Sequence, residues 1–491
     1  MLGFVQNWFA PRWFTQRCNP IGVDFGTDCL RLAQVQWVGS SASGEHKLVA
    51  AASADVPSHL RTDPAARLTF FTETVRDLLA QGDFRGRAAV LGLPAAWMHI
   101  QHLRMPKLDE ESLTKALVFE SRGKLPIDPG SALMRHLVAG EAHCGVNGSA
   151  DQEPKLEVIV MAAKRELVNQ YLAAAARARL DVIGMNVEPK AILDCFSFVH
   201  RRKADAQTTQ CFVDIGCGAT RAIITRGSEI LFARAIPVGG DHFNRSVAQA
   251  LKLTPDDARL LRIKLCHQQP ALDERREKQE VRDPSPAAPP AARIVSPAAA
   301  APLNESENSF ALLSAGMAAS SRRQEIGIPE TAERDLSRGS GPNGKINPAG
   351  APAMPASTLE APAFARLNSP QAAPVPASAE TLQARAVEQA CLEPLGKLVE
   401  ELDLCRRYYE ATFPSKPVER LIFVGGEARQ RTLCQHIARG LGLAAQVGDP
   451  MVRMGRVSDI GVESGLDRRH PQPTWAVAIG LSMGPANEVT R

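Results

Sequence analysis

Two stretches, separated by about the length of a domain, share one grammar and restrict this chain more than any other feature. Ile21–Val38 (IGVDFGTDCLRLAQVQWV) reads as an apolar strand ending in Asp24, a turn at Gly26-Thr27 and a returning strand. Phe212–Asn244 repeats the pattern with Asp214 at the strand end, a turn punctuated by Gly216 and Gly218, and a second strand over Ala222–Ile224. Arg226-Gly227 reads as a further turn, and Ile230–Pro237 continues the meander. The spacing from acid to glycine is the same in both: Asp24-Phe-Gly26 and Asp214-Ile-Gly216. Glycines let successive backbone N–H groups point into one concavity, which suits phosphate without any side chain. An acid where the strand ends can hold magnesium through its water shell. Either stretch alone reads equally as an ordinary hairpin with a turn Asp and Gly. Together they predict duplicated halves facing one cleft, each turn touching one side of a bound nucleotide.

The chain of 491 residues is too long for one compact core, so two or more domains are expected. Its net charge of +4 comes without any dense Lys/Arg run, which argues against a nucleic-acid partner. The cysteines show no CxxC spacing and read as reduced, mostly buried thiols of a reducing compartment. No apolar run approaches the roughly 18 residues needed to span a bilayer, and the first residues lack the basic and apolar regions of a signal peptide. The chain is therefore expected in the cytoplasm. Residues 1–20 carry Phe4, Trp8, Phe9, Trp13 and Phe14 beside Arg12 and Arg17. This aromatic tail reads as packing on the domain or a partner, with contact to a membrane surface as the alternative.

Between the two turn motifs, strands and helices alternate as in an α/β protein. Helical spacing over 65–80 places Leu68, Phe71, Val75, Leu78 and Leu79 on one side, and 109–121 reads as a helix with an acidic first turn. Leu156–Ala163 is a buried strand, 164–178 a helix and Leu180–Val187 a strand. Glu188-Pro189 then opens a helix that links the two halves. Glu188 serves the helix dipole there, with positioning of a cleft water as the alternative. His99 and His102 lack metal-ligand spacing and are assigned to a strand surface. From 273 to 379 the composition turns to Ala, Pro, Ser and Gly and cannot bury enough surface to offset ordering, which predicts a disordered insert. Its apolar island Phe310–Met317 reads as a transient cluster, with a recognition helix as the alternative. Order resumes at Glu380, where Leu392, Leu395, Leu398, Leu402, Cys405 and Tyr409 form a helical stripe read as core. Arg420–Val424 is a strand running into Gly425-Gly426-Glu427-Ala428 and a helix. Such a turn lets a base and ribose lie flat against backbone.

These three motifs, in this order, resemble the two phosphate motifs and the adenosine motif of the actin/Hsp70/hexokinase superfamily. Within it the chain is most similar to the PilM family of type IV pilus assembly proteins, relatives of the cell-division protein FtsA. LRMPKLDEESLTKALVFESRGKLPID (103–128), with Glu120 and Pro126, resembles that family's proline-led helix. The segments at 158–189 and 236–262 resemble its strand–helix–strand unit and the helices after its second phosphate turn. The resemblance covers roughly 21–270 and 381–483. It implies an actin-like, ribonuclease-H-like duplicated α/β fold, with 21–190 as the first half and 191–272 plus 380–491 as the second. An FtsA-type extra small subdomain falls at about 94–175. It implies ATP held by Asp24, Gly26, Thr27, Asp214, Gly216, Gly218, Thr220, Gly425, Gly426 and Glu427, with magnesium near Asp24 and Asp214. It further implies a scaffold without enzymatic turnover, peripheral at the inner membrane. Its partners would be the short cytoplasmic tail of a bitopic PilN-type protein, other pilus components and further copies of itself.

Three departures stand out: Asp28 in the first phosphate turn, where a carboxylate repels a triphosphate; Glu427 at a position usually held by glycine; and the length of the insert. A sugar or acid kinase of the same superfamily would need a further carboxylate as general base, and the sequence offers none beyond the motif aspartates. An FtsA-type division scaffold would carry a C-terminal amphipathic membrane helix, and GPANEVTR does not read as one.

Overall fold

The computed structural model describes residues 18–38, 45–142, 155–197, 207–266, 379–452, 454–456, 466 and 470–488. These all belong to one unit spanning 1–286 and 379–491. The aromatic tail up to residue 17 and the Ala/Pro-rich insert up to residue 378 lie outside the described residues.

The strand β1 (Ile21–Phe25) pairs antiparallel with β2 (Cys29–Val38), and β3 (Glu45–Asp55) extends the hairpin. Every residue of β1 is buried, as a central strand covered on both faces requires. Helix α1 (Pro64–Gln81) starts where Asp63 accepts from the amides of Ala65 and Ala66, with proline at its first position. Its Leu68, Phe71, Val75 and Leu79 face the core beneath β1. The strand β4 (Ala88–Gly92) then runs parallel to β1.

A separate antiparallel sheet follows, built from β5 (Met98–Pro106), β6 (Ala132–Glu141) and β7 (Lys155–Lys164), with α2 (Glu110–Glu120) after its first strand. Its strand order is β5-β7-β6, over a small core of Leu103, Met105, Leu113, Leu117, Val158 and Val160. This is the extra subdomain, but it closes at Lys164 rather than near 175. Helix α3 (Arg165–Arg177) leaves it for the first sheet, where Tyr171 is fully buried against Phe25 and Phe71. The strand β8 (Asp181–Asn186) pairs with β4, and α4 (Glu188–Ser197) follows.

The second half repeats the plan. The meander β9 (Thr209–Ile215), β10 (Thr220–Arg226) and β11 (Glu229–Ile236) leads to α5 (Gly240–Leu251), α6 (255–266) and α7 (Ala379–Thr412). Then come β12 (Arg420–Val424), α8 (Arg431–Leu441), β13 (Ala444–Val447), β14 (Gly455–Arg456) and α9 (Ala476–Glu488). The two large sheets are ordered β14-β3-β2-β1-β4-β8 and β11-β10-β9-β12-β13. Apart from β14 they match strand for strand, three antiparallel and then two parallel. The duplication expected from two turns is a property of both whole sheets.

The chain does not divide between the halves as simply as its sequence suggests. The strand β14 pairs with β3, and α9 lies on the first sheet and α4, so the end of the 380–491 segment packs on the first half. Small residues permit this. A Cβ on Gly480 would stand 1.8 Å from the Ala191 carbonyl oxygen, and one on Gly22 would stand 1.9 Å from that of Ala478. Ser482, fully buried, donates to the Pro20 carbonyl and accepts from the Val35 amide. Polar groups beside β1 and β2 are thus satisfied by the helix itself.

His102 also departs from its assignment to a strand surface. It is buried, with Nδ1 2.8 Å from Glu157 and Nε2 3.0 Å from the Ala233 carbonyl, and its ring stacks on Phe232. Period-two alternation cannot show that β11 covers this face of the small sheet. Among the described residues no helix is long and apolar enough to cross a membrane.

Two glycines give a paired test of the packing. Gly480→Ala should cost about 1–3 kcal/mol, because the obstruction is backbone and cannot rotate away. Gly396→Ala in α7, where a Cβ meets nothing within 4 Å, should stabilise by about 0.5–1 kcal/mol. Urea unfolding of both variants checks this, and equal effects would refute the packing account.

Candidate functional site

The two turn motifs occupy equivalent places at the ends of β1 and β9. They also share a feature absent from their glycine pattern. Asp24 lies opposite Arg31 in the β1–β2 register, and Asp214 lies opposite Arg221 in the β9–β10 register. Each motif is therefore Asp-x-Gly followed, seven residues after the acid, by an arginine on the returning strand.

The turns face one another: a Cβ on Gly218 would lie 3.8 Å from Thr27 Oγ1. Their carbonyls point away from the gap. Arg67 of α1, stacked over the Phe25 ring, donates to the carbonyls of Gly26 and Thr27 at 2.9 and 3.0 Å. In the second turn the Gly216 amide donates to Ala219, while the Gly240 and Asp241 amides at the start of α5 donate to Gly216 and Cys217. The amides of Thr27, Cys217 and Gly218 have no hydrogen-bond acceptor among the described residues. Two opposed turns with carbonyls tied back and amides free form an anion cradle. Thr220, expected to touch the cofactor, does not: it is fully buried, and its hydroxyl donates to the Val238 carbonyl at 2.7 Å.

Beneath the turns lies a buried cluster of charge. Arg221 Nη1 donates to Asp214 at 2.8 Å, and its Nε pairs with Glu188, the first residue of α4. Arg31 stands 3.9 Å from Asp24. Burial raises the Asp24 carboxyl from its ordinary 3.8 to about 6, with Arg31 opposing and Asp214 adding to the rise. Burial raises Glu188 as well, against the pull of Arg221. Glu188 thus serves as an ion-pair partner inside the cleft, beyond the dipole role expected of a first-turn glutamate.

The third turn seats directly on the second. Gly425 has φ +89°, and a Cβ there would stand 2.4 Å from Asp214 Oδ1 and 2.6 Å from the Ile215 carbonyl. Only glycine meets both demands. Gly426 leads into Glu427, whose carboxylate pairs with the buried Arg262 of α6. Arg262 also donates to Asn244 at 2.7 Å and lies over the Phe243 ring. The bulk and charge of Glu427 are thereby spent on joining the third turn to α5 and α6. Asp28 is likewise paired, with Arg259 at 3.7 Å, and Arg259 stands 3.8 Å from Asp55. Arg61 to Asp241 at 3.7 Å and Ser58 to Asp256 at 2.9 Å complete a polar seam between the halves.

The structure therefore gathers Asp24, Gly26, Thr27, Asp214, Gly216, Gly218, Gly425, Gly426 and Glu427 at one cleft. The cradle fits phosphate groups. It does not fit the expected magnesium, because Asp24 and Asp214 each face an arginine where a hydrated cation would sit. The arginines were legible only as the repeated seven-residue offset, which gains meaning once the strands are paired.

Duplicated sheets of this order, with three turns converging between them, define an actin-like protein. The family model of type IV pilus assembly protein PilM matches residues 22–269, and that of cell division protein FtsA matches 211–480. The chain belongs to the PilM family of type IV pilus assembly proteins. Among solved structures it is similar to a PilM–PilN type IV pilus biogenesis complex, at 16% identity over 95% of this chain and 98% of that one, with TM-score 0.57. The ethanolamine utilization protein EutJ from Carboxydothermus hydrogenoformans is 11% identical over 95% and 89%, with TM-score 0.39. No curated protein matches the chain.

The raised Asp24 carboxyl gives a prediction of known sign. Between pH 4 and 6 the folded protein holds a proton that the unfolded chain has released, so this group's contribution to stability falls as pH rises through that window. Asp24→Asn should remove that decline and be more stable than wild type at pH 7, by up to about 3 kcal/mol. Urea unfolding from pH 4 to 8 tests it; parallel profiles for the two proteins would contradict the assignment.

Proposed function

We propose that this chain is a scaffold of a type IV pilus assembly machine, not a catalyst. It would bind ATP between its two halves at the cytoplasmic face of the inner membrane and carry the short cytoplasmic tail of a bitopic PilN-type partner. Membership of the PilM family supports the setting. The similar PilM–PilN complex, matched over nearly all of both chains, supports the kind of partner.

One observation carries the choice of scaffold over kinase. Asp24, Asp214 and Glu188 are buried under the opposed turns, and each is paired with an arginine. Phosphoryl transfer to a hydroxyl needs a carboxylate free to take its proton. These carboxylates are turned into ion pairs beneath the turns and are not presented to an acceptor hydroxyl in the cleft. A cleft of this kind binds an anion and sets the spacing of the halves. Nucleotide then serves conformation, with self-association and contacts to other pilus components as its readouts.

Peptides copying the short cytoplasmic tails of inner-membrane proteins should retain the full chain in a pull-down. ATP turnover should stay about a hundredfold or more below the ~1 s⁻¹ at which kinases begin. Failure of every such tail to bind, together with ATP-dependent consumption of a phosphoryl acceptor, would overturn the scaffold reading.

A further inference from the structure

The acids that would hold a divalent cation in this cleft already have a cation. Arg221 spans Asp214 and Glu188, and a Cβ on Gly216 would lie 3.4 Å from its Nη1. The guanidinium is therefore directly under the second phosphate turn, within the cluster. Arg31 holds the equivalent position in the first half, opposite Asp24. Three carboxylates, Asp24, Glu188 and Asp214, face two guanidinium groups. A divalent ion could reach Asp214 and Glu188 only by displacing Arg221. That would strand a guanidinium which is only 8% exposed. Arginine is suited to the substitution, because it stays charged at every accessible pH and its planar fork can serve two acceptors at once.

We infer that Arg221, with Arg31 as its counterpart, takes the place of the divalent cation, so that this chain binds nucleotide phosphates without a metal ion. The inference rests on the nucleotide reading above and specifies its chemistry. The ligand is a metal-free nucleoside di- or triphosphate, held by the free turn amides and by the field of the Arg221 guanidinium. Displacing that guanidinium from its acids is not required. The anion meets it from the turn side, while Asp214 and Glu188 hold it from the other.

Two measurements on the full chain test this. The first is the affinity for a fluorescent ADP with excess EDTA and with excess magnesium. The two values should agree within about threefold, and a loss of about tenfold or more in EDTA would overturn the inference. Arg221→Gln should weaken binding in EDTA by about tenfold or more and regain it with magnesium, because the acids are then free to coordinate. The second needs no nucleotide. Manganese alone, titrated into wild type and followed by electron paramagnetic resonance, should find no stoichiometric site, and a stoichiometric manganese site abolished by Asp214→Asn would overturn the inference. Absence of ADP binding in both buffers would sink the nucleotide reading and this inference with it. Binding only with magnesium would sink this inference and leave that reading intact.

Discussion

A buried guanidinium shared by two carboxylates holds the centre of this protein. Arg221 comes from β10, Asp214 from β9 and Glu188 from the start of α4, so one charged group ties the second half's first hairpin to the helix linking the halves. Each member is a few per cent exposed, and each would be costly to bury alone. The cost is met only when all three come together, which requires both the β9–β10 register and the placement of α4. The register fixes the second turn, the turn presents its amides, and Gly425 closes on Asp214 from the third motif. The cleft's geometry thus depends on an interaction made beneath it.

Around this polar centre the apolar structure follows from close approach. The first sheet, α4 and α9 meet at Gly22, Gly480 and Ala191, where backbone passes backbone with no room for a side chain. Packing at that distance leaves polar groups on β1 and β2 without water, and Ser482 supplies their hydrogen bonds. The last helix of the chain is thereby part of the first half's core. The two halves share more than a hinge. The second half lends its last helix to the first, where it packs against α4.

How much of this could be read beforehand differs by feature. The strand–acid–glycine units, the Gly-Gly turn and the α/β alternation rest on local chemistry, and the sequence carried them. The ion pairs did not appear, because pairing Asp214 with Arg221 needs the strand register, and pairing Glu427 with Arg262 needs contact between segments more than 150 residues apart. Asp28 and Glu427 looked like defects in a phosphate and an adenosine turn for the same reason: their compensating arginines lie far along the chain. Thr220 has the residue type of a phosphate ligand, but its strand position turns the hydroxyl into the protein. His102 and α3 were misplaced because periodicity gives the buried face of an element and not the partner that covers it.

The distribution of charge pairs over the cleft bears on how the clamp can work. At the floor, the Arg221 cluster is buried, and opening it would expose unmatched charge. At the mouth, Arg61–Asp241, Arg259–Asp28 and Ser58–Asp256 are partly exposed and long or single-contact. Pairs of that kind contribute about 0–1 kcal/mol each, so separating the rims costs little while the floor holds. A ligand with modest preference for the closed form can therefore shift the population appreciably. The Glu427–Arg262 pair links the third turn to α5 and α6, the elements that carry the second half's side of the seam. A change felt at the third turn thus reaches the rim through one rigid contact. Under the scaffold role proposed above, that route is what would couple anion binding in the cleft to the rims.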